Sequence, residues 1–373
     1  MTTAARKNQA DKEIVILAAT SGDTGKAAMA GLRMWKGQGL SYSIQRTASA
    51  KLQELQMVTQ KGKNVDVVAI HGNFDNAQSG VKAMFEDVEL AKELAGKGYQ
   101  FSSANSINIG RLVPQIVYYV YAYAKLLANE EVQDGEKINV VVPTGNFGNI
   151  LAAYYAKNMG IPIDKLICAS NENKVLFDFF ESGTYDKNRE FVLTTSPSMD
   201  ILISSNLERL IYLVAGQDSE KTKALMEELK ADGSYTITED MKERLADFAA
   251  GYADEKETAA NIKAVYEETG YVMDTHTSVA SYVCRSYREE SKDDKKCVIA
   301  STASPYKFVK SVMTAIDDKY EGADEFSLLN ELQEISRVDM PQAIQEILDA
   351  KVLHTLECDV DMMKDTVKGI LKI

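Results

Sequence analysis

Three times along the chain a short apolar run of strand character gives way to a loop of small residues and then to helical spacing. Residues 13–17 (EIVIL) lead into Ala19-Thr20-Ser21-Gly22-Asp23-Thr24-Gly25 and an alanine-rich run. Residues 138–142 (INVVV) lead into Pro143-Thr144-Gly145-Asn146-Phe147-Gly148-Asn149 and a helical pattern over 151–158. Residues 297–300 (CVIA) lead into Ser301-Thr302-Ala303-Ser304-Pro305 and a helix from about Lys307. Between the first two, 65–70 reads as a further strand and 77–85 as a further helix. Runs this short and this uniformly apolar predict strands covered on both faces. Their exchange with helices predicts βαβ units, hence an α/β fold built on parallel sheets.

Other stretches change the picture. From about 207 to 266 charged residues dominate and apolar positions fall at helical spacing, which predicts a helical insertion outside the sheet. Residues 327–373 also read as helical. Two domains are expected, a smaller one over 1–125 and a larger one over 126–373. Residues 32–49 are anomalous: they hold the only tryptophan, Trp35, and fit neither period where a buried strand is due. Leu40 to Ile44 is the weak substitute. Permissible codons for this stretch, read in another frame, spell a β-branched run followed by a proline–glycine turn. A compensated frameshift over 32–49 is therefore expected, and reading the gene tests it.

A chain of 373 residues, 45% apolar, can bury two cores. Lys+Arg 42 against Asp+Glu 55 leaves a net charge of −13, which repels nucleic acid and anionic membranes. Any phosphate it binds must be held by local geometry. The four cysteines (Cys168, Cys284, Cys297, Cys358) and three histidines (His71, His276, His354) are scattered without metal-ligand spacing. No metal site is expected, and the cysteines are expected to be reduced thiols of a cytoplasmic protein. No apolar run approaches the roughly 20 residues of a membrane span, and residues 1–11 do not read as a secretion signal.

The loop at 144–149 ends a strand and opens a helix. Its glycines allow a tight turn in which successive N–H groups converge on one anion at the positive helix end. The G-x-G-x-x-G spacing of a dinucleotide site and the Lys-Ser/Thr ending of a triphosphate loop are both missing. A plain tight turn remains the alternative. The loop at 20–25 has the same mechanics plus two hydroxyls, and suits a second anion such as a carboxylate. Two such loops imply a ligand with two anionic ends, or a cofactor together with a substrate.

In this order, Ala19 to Gly25, Ser103-Ala104-Asn105-Ser106-Ile107-Asn108, Pro143 to Gly148 and Thr302-Ala303-Ser304-Pro305 resemble the motifs of threonine synthases. The resemblance spans nearly the whole chain apart from 32–49. It implies the tryptophan synthase β-like fold (fold type II) with two parallel-sheet domains, and pyridoxal 5'-phosphate as cofactor. Gly145, Asn146, Phe147, Gly148 and Asn149 would hold the cofactor phosphate, and Thr302 would lie near its pyridine nitrogen. Ser21, Gly22, Asp23, Thr24 and Gly25 would hold the substrate carboxylate. Ser103, Asn105, Ser106, Asn108 and Arg111 would hold the substrate phosphate, a task that suits the arginine fork. Ser304 stands where one branch of the family has histidine. The implied reaction converts O-phospho-L-homoserine and water to L-threonine and phosphate, a carbon–oxygen lyase step of threonine biosynthesis.

One part of the family pattern is missing. Its Schiff-base lysine lies in a Gly-Pro-Thr…Phe-Lys-Asp segment upstream of the Ser-Gly-Asp-Thr-Gly loop, and nothing before Ala19 matches it. Lys12 and Lys26 lack the apolar surroundings that would lower an amine's pKa for covalent work. The family's N-terminal domain is expected to be absent, and the chain alone inactive. Two alternatives stand beside this reading. One is a related pyridoxal-phosphate lyase or dehydratase, although those relatives usually carry Ser-Gly-Asn where this chain has Ser21-Gly22-Asp23. The other is a non-catalytic fragment that binds cofactor or phosphate.

Overall fold

A computed structural model describes residues 7, 11–20, 23–32, 39–43, 51–72, 74–104 and 108–373. The chain forms two compact units: Met1–Gly110 with Met340–Ile373, and Arg111–Asp339.

The first unit is a sheet of β1 (Glu13–Thr20), β2 (Gly39–Ser43), β3 (Val65–His71), β4 (Tyr99–Ser103) and β11 (Leu356–Asp359), in the order β11-β3-β2-β1-β4. Every pair is parallel. Alternate residues of β1 enter different cores. Val15, Leu17 and Ala19 pack with Val68, Ile70, Ala77, Val81 and Val367, whereas Ile16 and Ala18 pack with Ala104 on the other face. Covered on both sides, the strand shows no polar alternation. The weak strand expected near Leu40 forms, at Gly39–Ser43, between β1 and β3. Residues 33–38 and 44–49 of the anomalous stretch lie outside the described residues.

In the second unit β5 (Ile138–Pro143), β6 (Ile163–Ser170), β9 (Phe248–Tyr252) and β10 (Cys297–Ile299) form a parallel sheet ordered β10-β5-β6-β9. Val140, Val142, Leu166 and Cys168 face one core, and Val141, Ile167 and Ala169 face the other. β7 (Thr184–Asp186) and β8 (Ser234–Thr236) make a separate antiparallel pair, with Tyr185 and Tyr235 stacked at 5.5 Å.

Three expectations are corrected. The stretch 207–266 is not a purely helical insertion, because it contains β8 and the sheet strand β9. β9 reads poorly because Phe248-Ala249-Ala250-Gly251-Tyr252 is small-residued. Gly251 is small for a reason: a Cβ there would stand 2.6 Å from Val283 Cγ1. The C-terminal stretch is not all helical either, since β11 pairs with β3 and only Cys358 of its four residues is buried. That pairing places Met340–Ile373 in the first unit, and the unit boundary falls at Gly110/Arg111 instead of near 125. Among the described residues no helix is long and apolar enough to cross a membrane.

Candidate cofactor and substrate site

In the second unit β5 delivers the chain to Thr144, whose N–H donates to the Ala169 carbonyl at 2.8 Å. Phe147 then takes a left-handed backbone (φ 62°, ψ 4°), a conformation uncommon for a residue with a Cβ. Its ring explains how this persists. Phe147 is 1% exposed and lies against Phe180 and Phe248, with centroids at 6.1 and 6.0 Å, so aromatic burial offsets the local strain. Phe147 therefore contributes backbone to the loop and side chain to the core. The helix α1 (Gly148–Asn158) starts next, and its first internal bond runs from Leu151 N–H to the Phe147 carbonyl. Among the described residues no protein acceptor takes the N–H groups of Gly145 through Ile150. Six consecutive donors at the positive end of an 11-residue helix remain for an anion.

A second segment backs this loop. A Cβ on Gly145 would stand 2.5 Å from the Ser198 carbonyl oxygen and 3.3 Å from Met199 Cα, so only glycine fits. Ser204 Oγ donates to the Gly145 carbonyl (2.7 Å) and Ser205 Oγ to Asn146 Oδ1 (3.1 Å). Asn206 donates to the Asn146 carbonyl through both its N–H (3.1 Å) and its amide (2.9 Å). The Asn149 amide accepts from the Tyr119 hydroxyl and donates to Gln115 Oε1 at 3.1 Å. The backing segment is pinned in turn by the buried carboxylate of Asp200. It accepts from Asn171 (2.7 Å), Asn173 (3.0 Å), the Thr194 hydroxyl (2.7 Å) and the Thr194 N–H (3.0 Å). None of these supporting residues stood out in the sequence. The one available signal was a cluster of Ser, Asn and Asp with no helical or strand period.

β10 lies beside β5, Ile299 opposite Val141, so the Thr302 loop and the phosphate-type loop leave adjacent strands at the same end. That is where ligands gather in parallel α/β sheets. Thr302 is exposed, and Ser304 caps the short turn Pro305–Phe308. Within that turn Lys307 is 9% exposed, its Nζ 4.5 Å from the Phe308 ring centroid, and burial pulls its pKa down to about 8. The sequence offered no sign of a buried lysine.

In the first unit the Gly25 N–H donates to Thr20 Oγ1 at 3.0 Å, and a Cβ on Gly25 would collide with the Thr20 side chain. Asp23 and Thr24 open the helix Asp23–Leu32, and Ser21 and Gly22 lie outside the described residues. β4 runs beside β1, Leu17 opposite Ser103, so the loops after both strands share one sheet end. Asn108 donates to the Ser103 carbonyl (2.9 Å) and accepts from Gly110 N–H (2.9 Å), which closes the second loop on itself. Asn105 and Ser106 lie outside the described residues. Arg111 begins the second unit, exposed, with its carbonyl taking the Gln115 amide at 2.6 Å. Among the described residues no group of His, Cys, Asp or Glu can hold a metal ion.

Residues 277–364 match the family model for the C-terminal part of threonine synthase. Threonine synthase of Saccharomyces cerevisiae is 35% identical over 376 residues, which is 96% of this chain and 69% of the yeast protein. The chain belongs to the threonine synthase family. A crystal structure of PLP-bound threonine synthase from Brucella melitensis superposes with a TM-score of 0.82 at 33% identity, covering 99% of this chain and 73% of that one. The expected parallel-sheet fold of the pyridoxal-phosphate enzymes is thus the observed one. Threonine synthase-like 1 of Pongo abelii is 41% identical over 315 residues, 82% of this chain. The chain spans 42% of that relative's length.

Proposed function

We propose that this chain carries the cofactor-phosphate and substrate subsites of a threonine synthase, and that pyridoxal 5'-phosphate is its cofactor. The observation that carries the reading is the run of six N–H groups from Gly145 to Ile150 with no protein acceptor among the described residues. A phosphate monoester fits such a cradle, and on a chain of net charge −13 it would be held by these local donors and not by the overall field. The bound cofactor supplies electron withdrawal that acidifies the substrate's α-hydrogen. Gly145 to Asn149 hold its phosphate through backbone donors. Thr302 would offer a neutral hydroxyl to the cofactor's ring nitrogen, and a neutral partner would leave that nitrogen less protonated than a carboxylate would. The loop Ser21 to Gly25 holds the substrate carboxylate. Ser103, Asn105, Ser106, Asn108 and Arg111 hold the phosphate that leaves O-phospho-L-homoserine as L-threonine forms. We infer a cytoplasmic protein with reduced cysteines, none of the four being paired in a disulfide among the described residues.

This reading assigns no lysine of the chain to covalent attachment of the cofactor, so the chain alone binds and does not turn over. The test is a titration of the chain with pyridoxal 5'-phosphate, followed by borohydride reduction and peptide mapping. Saturable binding is expected, weakened at least about tenfold by Gly145→Ala, since loss of a few aligned donors exceeds 1.4 kcal/mol. Absence of binding sinks the reading. A stable reduced adduct on one lysine, Lys307 being the one that burial favours, would overturn the assignment of no covalent lysine. Phosphate release from O-phospho-L-homoserine against deamination of serine, assayed with the lysine-bearing segment supplied, separates a threonine synthase from a dehydratase.

A further inference from the structure

The N-terminus of the helix α2 (Thr275–Ser291) ties together both loops that the preceding reading gives to the cofactor. His276 is buried, its ring 4.8 Å from that of Phe308. Its Nε2 accepts the Ser198 N–H at 3.1 Å, which places the ring proton on Nδ1, where Asp274 Oδ1 lies at 3.3 Å. Asp274 is fixed independently, because the same oxygen caps the helix by accepting His276 N–H (2.9 Å) and Thr277 N–H (3.2 Å). Ser198 is the residue whose carbonyl closes on Gly145. A rigid path therefore runs from Asp274 through His276 to the back of the phosphate cradle. Thr275 Oγ1 reinforces it by donating to the Thr195 carbonyl at 2.7 Å. The other branch starts one residue on. Thr277 Oγ1 gives its proton to Asp274 and shares a hydrogen bond with Ser301 Oγ at 3.2 Å, directly before Thr302.

We propose that Asp274, His276 and Thr277 are positioning residues for the cofactor, His276 setting the phosphate grip through Ser198 and Thr277 setting the Thr302 hydroxyl through Ser301. The inference rests on the cofactor reading above and adds residues that never touch the ligand. It makes the two grips separable: one residue tunes affinity, and its neighbour tunes the electronic surroundings of the ring.

The experiment uses the full chain with pyridoxal 5'-phosphate as probe, and three variants. His276→Leu keeps the volume but removes the acceptor. It is expected to raise the cofactor dissociation constant about tenfold and to speed exchange of the Ser198 amide in the cofactor-free protein. His276→Gln, whose side-chain oxygen can reach the Nε2 position, is expected to restore affinity to within about threefold of the parent. Thr277→Val is expected to leave affinity within about threefold while shifting the absorption maximum of the bound cofactor. Parental affinity in His276→Leu, or failure of His276→Gln to recover any of the loss while its thermal melt matches the parent, overturns the His276 assignment. An unshifted spectrum in Thr277→Val overturns the second branch. If the parent chain itself binds no cofactor, the underlying reading has failed, and Ser198 exchange still reports whether His276 holds that amide.

Discussion

Replacing Lys307 with methionine should stabilise the protein at neutral pH, by an amount that fades as the pH rises. The lysine is 9% exposed, and burial alone lowers its pKa from 10.5 to about 8. Below pH 8 the ammonium is charged in the folded and unfolded chains alike, so folding carries a desolvation cost there. Between pH 8 and 10.5 the folded chain has already released the proton that the unfolded chain still binds. Unfolding then takes up a proton, and stability climbs with pH. Above 10.5 both forms are neutral and the contribution is gone. A displacement from 10.5 to about 8 corresponds to roughly 3 kcal/mol, of which the face of Phe308, 4.5 Å from Nζ, returns about 0.5–1 kcal/mol. Methionine fills nearly the same volume without charge. Urea denaturation of parent and Lys307→Met between pH 6 and 10.5 gives the difference curve, in which all other titrations cancel. It should show the variant more stable by about 2–3 kcal/mol at pH 7, converging on the parent at pH 10.5. A variant less stable than the parent at pH 7, or a gap that does not change with pH, would refute the reasoning and show that neighbouring groups hold the ammonium more strongly than burial opposes it.

Three further outcomes are expected. The neighbouring Cys284 thiol, with Arg288 nearby, pulls the Cys297 pKa down. Its alkylation by iodoacetamide should set in at lower pH than that of the other three cysteines, and Cys284→Ala should move the onset upward. Asp200→Ala would strand the Asn171, Asn173 and Thr194 donors in a buried site, and should cost about 3–5 kcal/mol in urea denaturation, against a smaller loss for Asp200→Asn. Hydrogen bonds to Asp359 and then Glu357 raise the His71 pKa across the β3–β11 edge. A raised folded pKa gives stability that is complete below 6.5 and lost as pH rises through the folded value. After correction for intrinsic exchange, the amides of Leu356–Asp359 should therefore be better protected at pH 6 than at pH 8, and His71→Asn should remove that dependence.

The parts of this fold that could be read from the sequence are those whose cause is local. β1 and β5 announce themselves because both faces are buried along most of the run and nearly every side chain there is apolar or small. Gly145 and Gly25 announce their loops because a Cβ at either position would strike Ser198 or Thr20. Where the cause is distant, the sequence is silent. β11 buries only Cys358 and owes its place to β3, nearly 290 residues earlier by the His71–Glu357 separation. β9 owes its place to pairing with β6 and to Val283 packing close over Gly251, which no window around residue 250 reveals.

The candidate site divides along the same line. The loops that would face a ligand need glycines and free N–H groups, and these leave a compact motif. The groups that aim those loops are buried acceptors serving donors far away in the chain. Asp200 collects Asn171, Asn173 and Thr194, and His276 takes an amide 78 residues away. Singly, each looks like an ordinary surface polar residue. Each buried donor left without its acceptor costs about 1–3 kcal/mol, comparable to a ligand contact. Changes over 194–206 and 274–277 should therefore weaken ligand binding on the same scale as changes in the glycine loop, though their side chains need never meet the ligand.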